Sequence, residues 1–339
     1  MGVLTAASRT RRSLVAAAVV LTAAALAVTP ARAEDDAAEL LKRGEAALAA
    51  GDGQEATALF RKARKVDPTT ASEADWGLAR AALARGDRKK ALDLVQGLTR
   101  APLPPERVAA AMMLKGLVLS KSDSPVDLDA AEAAFRAATE AAPASPTPLY
   151  NLGVLQITRG RKEEGLATLE RCREAAPGSD LARRAARVVR KPGIAGKTLA
   201  PDFAITTLSG ETLTLAGLEG RVVLLDFWAT WCGPCVASVA ELRDLRRKWP
   251  EDRLALVSVS VDRDEPAWKQ FVASHGMKWP QFRDADDRLT RVYQVRAFPT
   301  YVLVDGDGVE VRRLQGLDER QSIGFRLQRE LEAVLGKPK

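Results

Sequence analysis

The sequence predicts two architectures in tandem: an all-α stack of helix pairs, then an α/β domain with a central mixed sheet and flanking helices. Three observations carry that expectation. A pattern of small and apolar residues recurs about every 34 residues through the first half. Strand-like and helix-like runs alternate from Lys197 onward. A Cys-x-x-Cys pair stands where one of those strands meets the next helix.

The first 33 residues carry the parts of a secretory leader. Arg9, Arg11 and Arg12 form a basic start, Leu14 to Val28 is an apolar run, and Ala31-Arg32-Ala33 is a small-x-small cleavage site before Glu34, Asp35 and Asp36. The run is shorter than the roughly 20 apolar residues that span a bilayer. A cleaved signal peptide (1–33) and a periplasmic or otherwise extracytoplasmic protein are therefore expected, with an uncleaved N-terminal anchor as the alternative. Thr10-Arg11-Arg12-Ser13-Leu14 leaves both Sec and twin-arginine export open. The net charge of +7 overstates the basicity of the rest, because four arginines and no acid lie in the leader, leaving +3. No dense basic stripe is interleaved with aromatics, so nucleic acid is not an expected partner. Three cysteines are too few for a disulfide framework. Two form the Cys-x-x-Cys pair, and Cys172 stands apart.

Gly44, Gly51, Ala56, Phe60, Ala63 and Pro68 stand at positions 8, 15, 20, 24, 27 and 32 of one 34-residue frame. A second copy keeps Leu78, Ala79, Gly86 and Ala91, and departs most, lacking the Gly at 8 and the Phe at 24. A third has Gly116, Ala131, Phe135, Ala138 and Pro143, with an insertion near Ser122 to Val126; a fourth has Leu152, Gly153, Gly160, Leu169, Cys172 and Pro177. Small residues let paired helices approach, an aromatic fills the gap between pairs, and proline ends the second helix. Over residues 37–178 the pattern resembles tetratricopeptide repeats. One such pair buries too little alone, so four should stack into a solenoid whose groove receives a protein or peptide partner. Residues 179–191 read as a basic capping helix that closes the 37–191 solenoid, and 192–196 as a short linker.

The second half, 197–339, reads as a small hairpin (Phe203 to Leu208 and Thr212 to Leu215), a strand from Arg221 to Trp228 and a helix from Pro234 to Trp249. A strand from Leu254 to Val261, a helix from Glu265 to His275, a short stretch at Trp279 to Phe282 and a helix from Asp286 to Tyr293 follow. A hairpin (Thr300 to Val304, Val309 to Leu314) turns over Asp305-Gly306-Asp307-Gly308, and a helix from Asp318 to Leu335 closes the chain.

Leu225-Asp226-Phe227-Trp228-Ala229-Thr230-Trp231-Cys232-Gly233-Pro234-Cys235, with Phe298-Pro299-Thr300 some 60 residues on, resembles the thioredoxin superfamily over residues 197–339. The leading hairpin and the extra helix and strand between 262 and 282 are similar to its TlpA/ResA-like thiol-disulfide oxidoreductases. A thiolate is the nucleophile in such chemistry. Cys232 at a helix N-terminus has unsatisfied N–H groups and the macrodipole to favour the anion, so its pKa is expected to fall toward about 7. Cys235, one turn further in, is expected to resolve the mixed disulfide. Pro234 stands where a missing N–H costs the helix little. The resemblance implies that Asp226 relays a proton to and from Cys235. It also implies that Pro299 is cis opposite Cys232, with Phe298 and Thr300 offering backbone to a substrate strand. Trp231 is expected as a surface platform beside the nucleophile, with Gly233 and Pro234 also at the substrate face. The lysine that thioredoxins keep near the buried acid is missing; Ser258 and Ser260 stand on the neighbouring strand. The acid that relatives place near the proline loop is also missing from Arg296-Ala297-Phe298.

Plainer readings exist. The cysteine pair could be structural, but so short a loop removes little unfolded-state entropy. It could be half a zinc site, but only Cys172 and His275 remain as further Cys or His ligands, so no metal is expected. Asp226 could be a plain core or strand-end acid, Cys172 packs as a small buried residue of its repeat, and His275 caps a helix before Gly276. The expected function is an exported protein-disulfide reductase without a cofactor, acting on disulfide-bearing proteins and, by the resemblance, recharged by a membrane thiol donor. The alternative is a tetratricopeptide adaptor that docks a partner, with the redox domain as sensor or passenger.

Overall fold

The computed structural model describes residues 36–100, 103, 105–316 and 321–337; the leader expected over 1–33 lies outside them. Four helix pairs come first: α1 (Ala37–Ala49) with α2 (Gly53–Val66), α3 (Ala71–Ala84) with α4 (Arg88–Leu98), α5 (Pro105–Leu119) with α6 (Pro125–Ala141), and α7 (Pro146–Thr158) with α8 (Lys162–Ala175). The capping helix α9 (Asp180–Arg190) follows. Short polar side chains start several of these helices: Asp36, Asp52, Asp87 and Ser179 each accept a first-turn N–H. Pro125 and Pro146 open α6 and α7, where the lost N–H has no intrahelical partner.

The small and large positions interlock as the pattern requires. The Phe60 ring lies so close to Gly44 and Gly77 that a Cβ at either would strike it, and Phe135 lies in the same way against Gly116. In the divergent second copy Val95 stands where the aromatic would be and is fully buried. This is a tetratricopeptide-type helical stack. Cys172 is fully buried, its thiol facing Pro146 O at 3.3 Å, and burial pushes that thiol up to about 11.

The α/β half begins with the antiparallel hairpin β1 (Ala204–Thr206) and β2 (Thr212–Thr214). The remaining strands are β3 (Val222–Trp228), β4 (Leu254–Ser260), β5 (Gln281–Arg283), β6 (Thr300–Val304) and β7 (Glu310–Gln315), forming one mixed sheet in the order β5-β4-β3-β6-β7. β4 runs parallel to β3 and β5, while β6 is antiparallel to β3 and β7. The helices are α10 (Gly233–Lys248), α11 (Glu265–Ser274), α12 (Arg288–Val292) and α13 (Ile323–Leu335). The expected final helix thus starts later than Asp318, at the Ser322 cap; residues 317–320 are outside the description.

β3 is buried along its whole length, and its alternation sorts two cores. Val222, Leu224 and Trp228 pack with Val239, Leu242 and Leu245 of α10, Trp268 of α11 and Leu327 of α13. Val223, Leu225 and Phe227 pack with Ile205, Leu213, Leu289 and Tyr293 on the other face. This is the thioredoxin-like fold.

The segment expected as a linker is a packed joint. Pro192–Ile194 forms a 3₁₀ turn, and buried Ile194 shares a core with Leu149 and Val188 of the helical half and with Leu199 and Val309 of the sheet half. Leu199 bridges to Val309, and the Arg187 guanidinium donates to Ala200 O and Gly308 O. The Asp305 carboxylate is engaged by the Asp307 and Val309 N–H groups of the β6–β7 turn.

Candidate active site

Cys232 occupies the N-cap position of α10, at the end of the loop leaving β3. It is bonded to Cys235, and its Sγ also lies 3.3 Å from the Cys235 N–H, which donates to it. The sulfur at Cys232 therefore sits among the unsatisfied N–H groups of a helix end, where negative charge is stabilised. Cys232 is 6% exposed and Cys235 3%. Around them Trp231, Gly233 and Pro234 are exposed, and Trp231 at 67% is far outside the range of a core tryptophan. Trp228 is in the core.

The Phe298–Pro299 bond is cis, and the Phe298 ring meets the Trp231 ring edge-on at 6.0 Å. The loop is held from behind, with Gly316 N donating to Pro299 O and the Thr300 hydroxyl donating to Ala297 O. Thr300, expected to offer backbone to a substrate, is instead the first residue of β6, registered between Phe227 and Gln315 and fully buried. Being inside the sheet, it shapes the loop and leaves Phe298 as the edge: no backbone–backbone hydrogen bond engages Phe298 among the described residues.

Asp226 lies on the β3 face that α10 covers, between Leu224 and Trp228 in a layer that also contains Cys235. Its carboxyl is 2% exposed and accepts one hydrogen bond, from the Ser258 hydroxyl at 2.7 Å. Ser258 in turn accepts from Trp279 Nε1 at 2.8 Å. Burial pushes the Asp226 pKa from 3.8 up to about 7, against the opposing effect of the Ser258 bond. The serine seen in the sequence where a lysine was missing is thus the carboxyl's partner, and among the described residues no cation counters the desolvation. A carboxyl that titrates near neutrality can both take and return a proton.

One residue of the site was not anticipated. Buried Asp262 accepts from the Thr230 N–H at 3.0 Å, the Thr230 hydroxyl at 2.7 Å and the Ser260 hydroxyl at 2.6 Å, and so pins the loop that carries Trp231 and Cys232. The register Trp228↔Ser260 places Thr230 and Asp262 each two residues past a paired position, so the parallel pairing of the two strands was the available signal. His275 ends α11, its ring stacked on Phe271 at 3.7 Å. A cavity of about 800 Å³ lies at the joint between α9 and the β1–β2 hairpin, but none of the cysteine, proline-loop or Asp226 residues lines it. No metal-binding cluster of His, Cys, Asp or Glu occurs among the described residues.

Both halves of the chain are similar to known protein families. The Redoxin family profile matches residues 194–327, and tetratricopeptide repeat profiles match 47–113 and 149–179. The chain is 32% identical over 130 residues to thiol-disulfide oxidoreductase ResA of Bacillus cereus, covering 38% of this chain and 75% of that protein. It is 34% identical over 123 residues to the thioredoxin-like protein YneN of Bacillus subtilis, covering 35% and 71%. A solved structure of a thiol-disulfide oxidoreductase from Bacteroides fragilis is similar at 26% identity and a TM-score of 0.35, covering 39% of this chain and 99% of that one.

Proposed function

This chain belongs to the thiol-disulfide oxidoreductases of the ResA type, and on that premise we propose that it is an exported reductase of protein disulfides. The observation that carries the reading is the pairing of a helix-capping cysteine with a buried carboxyl that titrates at about 7. In the reduced protein the Cys232 thiolate attacks one sulfur of a substrate disulfide, forming a mixed disulfide and releasing the first substrate thiolate. Asp226 then takes the proton from the Cys235 thiol. The Cys235 thiolate attacks the Cys232 sulfur, which releases the second substrate thiolate and leaves the Cys232–Cys235 bond. Two electrons and two protons from a membrane thiol donor restore the dithiol, and no cofactor is required because the electrons travel on sulfur. Trp231, Gly233 and Pro234 form the exposed face that a substrate meets, and the free Phe298 backbone beside cis-Pro299 pairs with its strand. The repeat groove receives a protein or peptide partner.

The Gly233-Pro234 pair brings no histidine or charge that would stabilise the reduced form, so the potential is expected near the thioredoxin value of about −270 mV. Equilibration of the full chain with a thiol buffer measures it. A potential near the strong-oxidant value of about −120 mV would make the protein a disulfide donor instead. Export is supported by the leader grammar of the first 33 residues, and an N-terminus at Glu34 in the secreted protein checks it.

A further inference from the structure

The helical half touches the active-site loop itself. The turn after α1 passes through Gly51 at φ +69, and the Arg296 guanidinium rests against it so closely that a Cβ on Gly51 would collide with Arg296 Nη2. Arg296 comes from the loop that carries Phe298 and cis-Pro299, two residues ahead of the ring that meets Trp231. The contact is one of proximity: Arg296 donates no hydrogen bond among the described residues, and the Ala46, Ala47 and Leu48 carbonyls of α1 already accept from the Ala50, Asp52 and Gly51 N–H groups. The last turn of α1 contains no basic residue, while its C-terminal carbonyls carry the negative end of the helix dipole. Arg296 forms no ion pair among the described residues, and the neighbouring Asp52 carboxylate is already engaged by the Gln54 and Glu55 N–H groups. The loop cation thus faces the end of α1 rather than a carboxylate.

The loop needs such a fixture. Val295 N bonds Thr290 O on one side, and the Gly316 N–Pro299 O and Thr300–Ala297 bonds hold the other. Between them Phe298 has no backbone–backbone bond of its own among the described residues. A strand-pairing edge works best when it is already in place before the partner arrives, because ordering it on binding subtracts from affinity.

We propose that Arg296 is a positioning residue: by resting on the C-terminal end of α1 at Gly51 it ties the cis-Pro loop to the first repeat, and so presets the Phe298 edge for protein disulfides. The first repeat then supports substrate recognition without touching either sulfur. The inference rests on the oxidoreductase reading only for its assay, and holds for exchange in either direction. A small disulfide that makes no strand contact gains nothing from a preset edge, whereas a polypeptide disulfide does.

Single-turnover exchange of the reduced full chain with two probes tests this: a small aromatic disulfide dye and insulin. Arg296→Ala, at an exposed position that leaves α1 unaltered, is expected to slow insulin exchange about fivefold, the scale of a cation lost from a helix end. Dye exchange and the midpoint potential should stay within about twofold, and Arg296→Lys, which keeps the cation, should restore most of the insulin rate. Gly51→Ala, whose Cβ takes the guanidinium's place and also strains a turn at φ +69, should lower the insulin-to-dye ratio at least as far as Arg296→Ala, and the double variant should add little to Gly51→Ala alone. Equal slowing on both probes, or on neither, overturns the proposal. So does slowing by Arg296→Ala without slowing by Gly51→Ala, since Arg296 would then meet the substrate directly. Wild-type exchange with the dye checks the thiol chemistry alone, so a failure there is told apart from a failure of the insulin-to-dye ratio.

Discussion

Replacing Cys232 by serine is expected to abolish disulfide reduction, lowering the rate by at least about a thousandfold, as loss of a nucleophile does. Replacing Cys235 is expected to stop the reaction one step later, with substrate covalently held on Cys232. The difference follows from position. Cys232 caps α10 at 6% exposure, flanked by the exposed Trp231, Gly233 and Pro234, whereas Cys235 lies one turn in at 3%. An attacking thiolate must reach a substrate sulfur; a resolving thiol need reach only its neighbour. Cys172 offers no substitute, because it is fully buried and its thiol is held at about 11. Intact mass spectrometry after mixing each variant with a disulfide-bearing protein reads the outcome. A thiol-reversible adduct on Cys235→Ser, and none on Cys232→Ser, is the expected pattern. The reverse pattern would exchange the two roles.

Much of this arrangement is legible in the sequence because it depends on local rules. Gly44, Phe60, Gly116 and Phe135 recur in frame since each pair of helices must solve the same packing problem, and the structure shows those glycines and rings in direct opposition. β3 announces itself as an apolar run broken by one acid, and the Cys-x-x-Cys pair falls at its end for a reason that helix termini make general. What stayed hidden depends on which distant residues become neighbours. Asp226 meets Ser258, and Asp262 meets Thr230, only once the parallel register of β3 and β4 is known. Ile194 looks like part of a Pro-Gly linker until Leu199 and Val309 supply the surface that buries it. The approach of Arg296 to Gly51 spans most of the chain and follows from how the two halves dock, for which no periodicity or motif exists.

Asp226→Asn is expected to stabilise the oxidised protein at alkaline pH while slowing resolution. An aspartate in the unfolded chain releases its proton near 3.8, but the buried one holds it until about 7. The raised folded-state pKa means that the stabilising contribution of the protonated form is fully present below the unfolded pKa. It is lost as pH rises from about 4 to about 7, because the unfolded state sheds its proton first. At about 1.4 kcal/mol for each tenfold in proton affinity, the full loss is on the order of 4 kcal/mol above pH 7. Asparagine keeps the shape and the Ser258 contact but never ionises, so it escapes that cost. Urea titrations should therefore place the two proteins close together below about pH 4, with the variant increasingly favoured up to about pH 7 and by a constant margin beyond. On the proposed mechanism, the same substitution removes the group that takes the Cys235 proton. Resolution of a preformed mixed disulfide should accelerate in the wild type as pH rises through about 7, where the carboxylate forms. The variant should lack that inflection and resolve more slowly near neutrality, by about a hundredfold, the lower end of general base contributions. Equal stability at pH 8 would mean that the carboxyl is solvated in the folded protein. Unchanged resolution together with a gain in stability would instead leave Asp226 as a costly structural acid, and the proton of Cys235 would have to leave by another path.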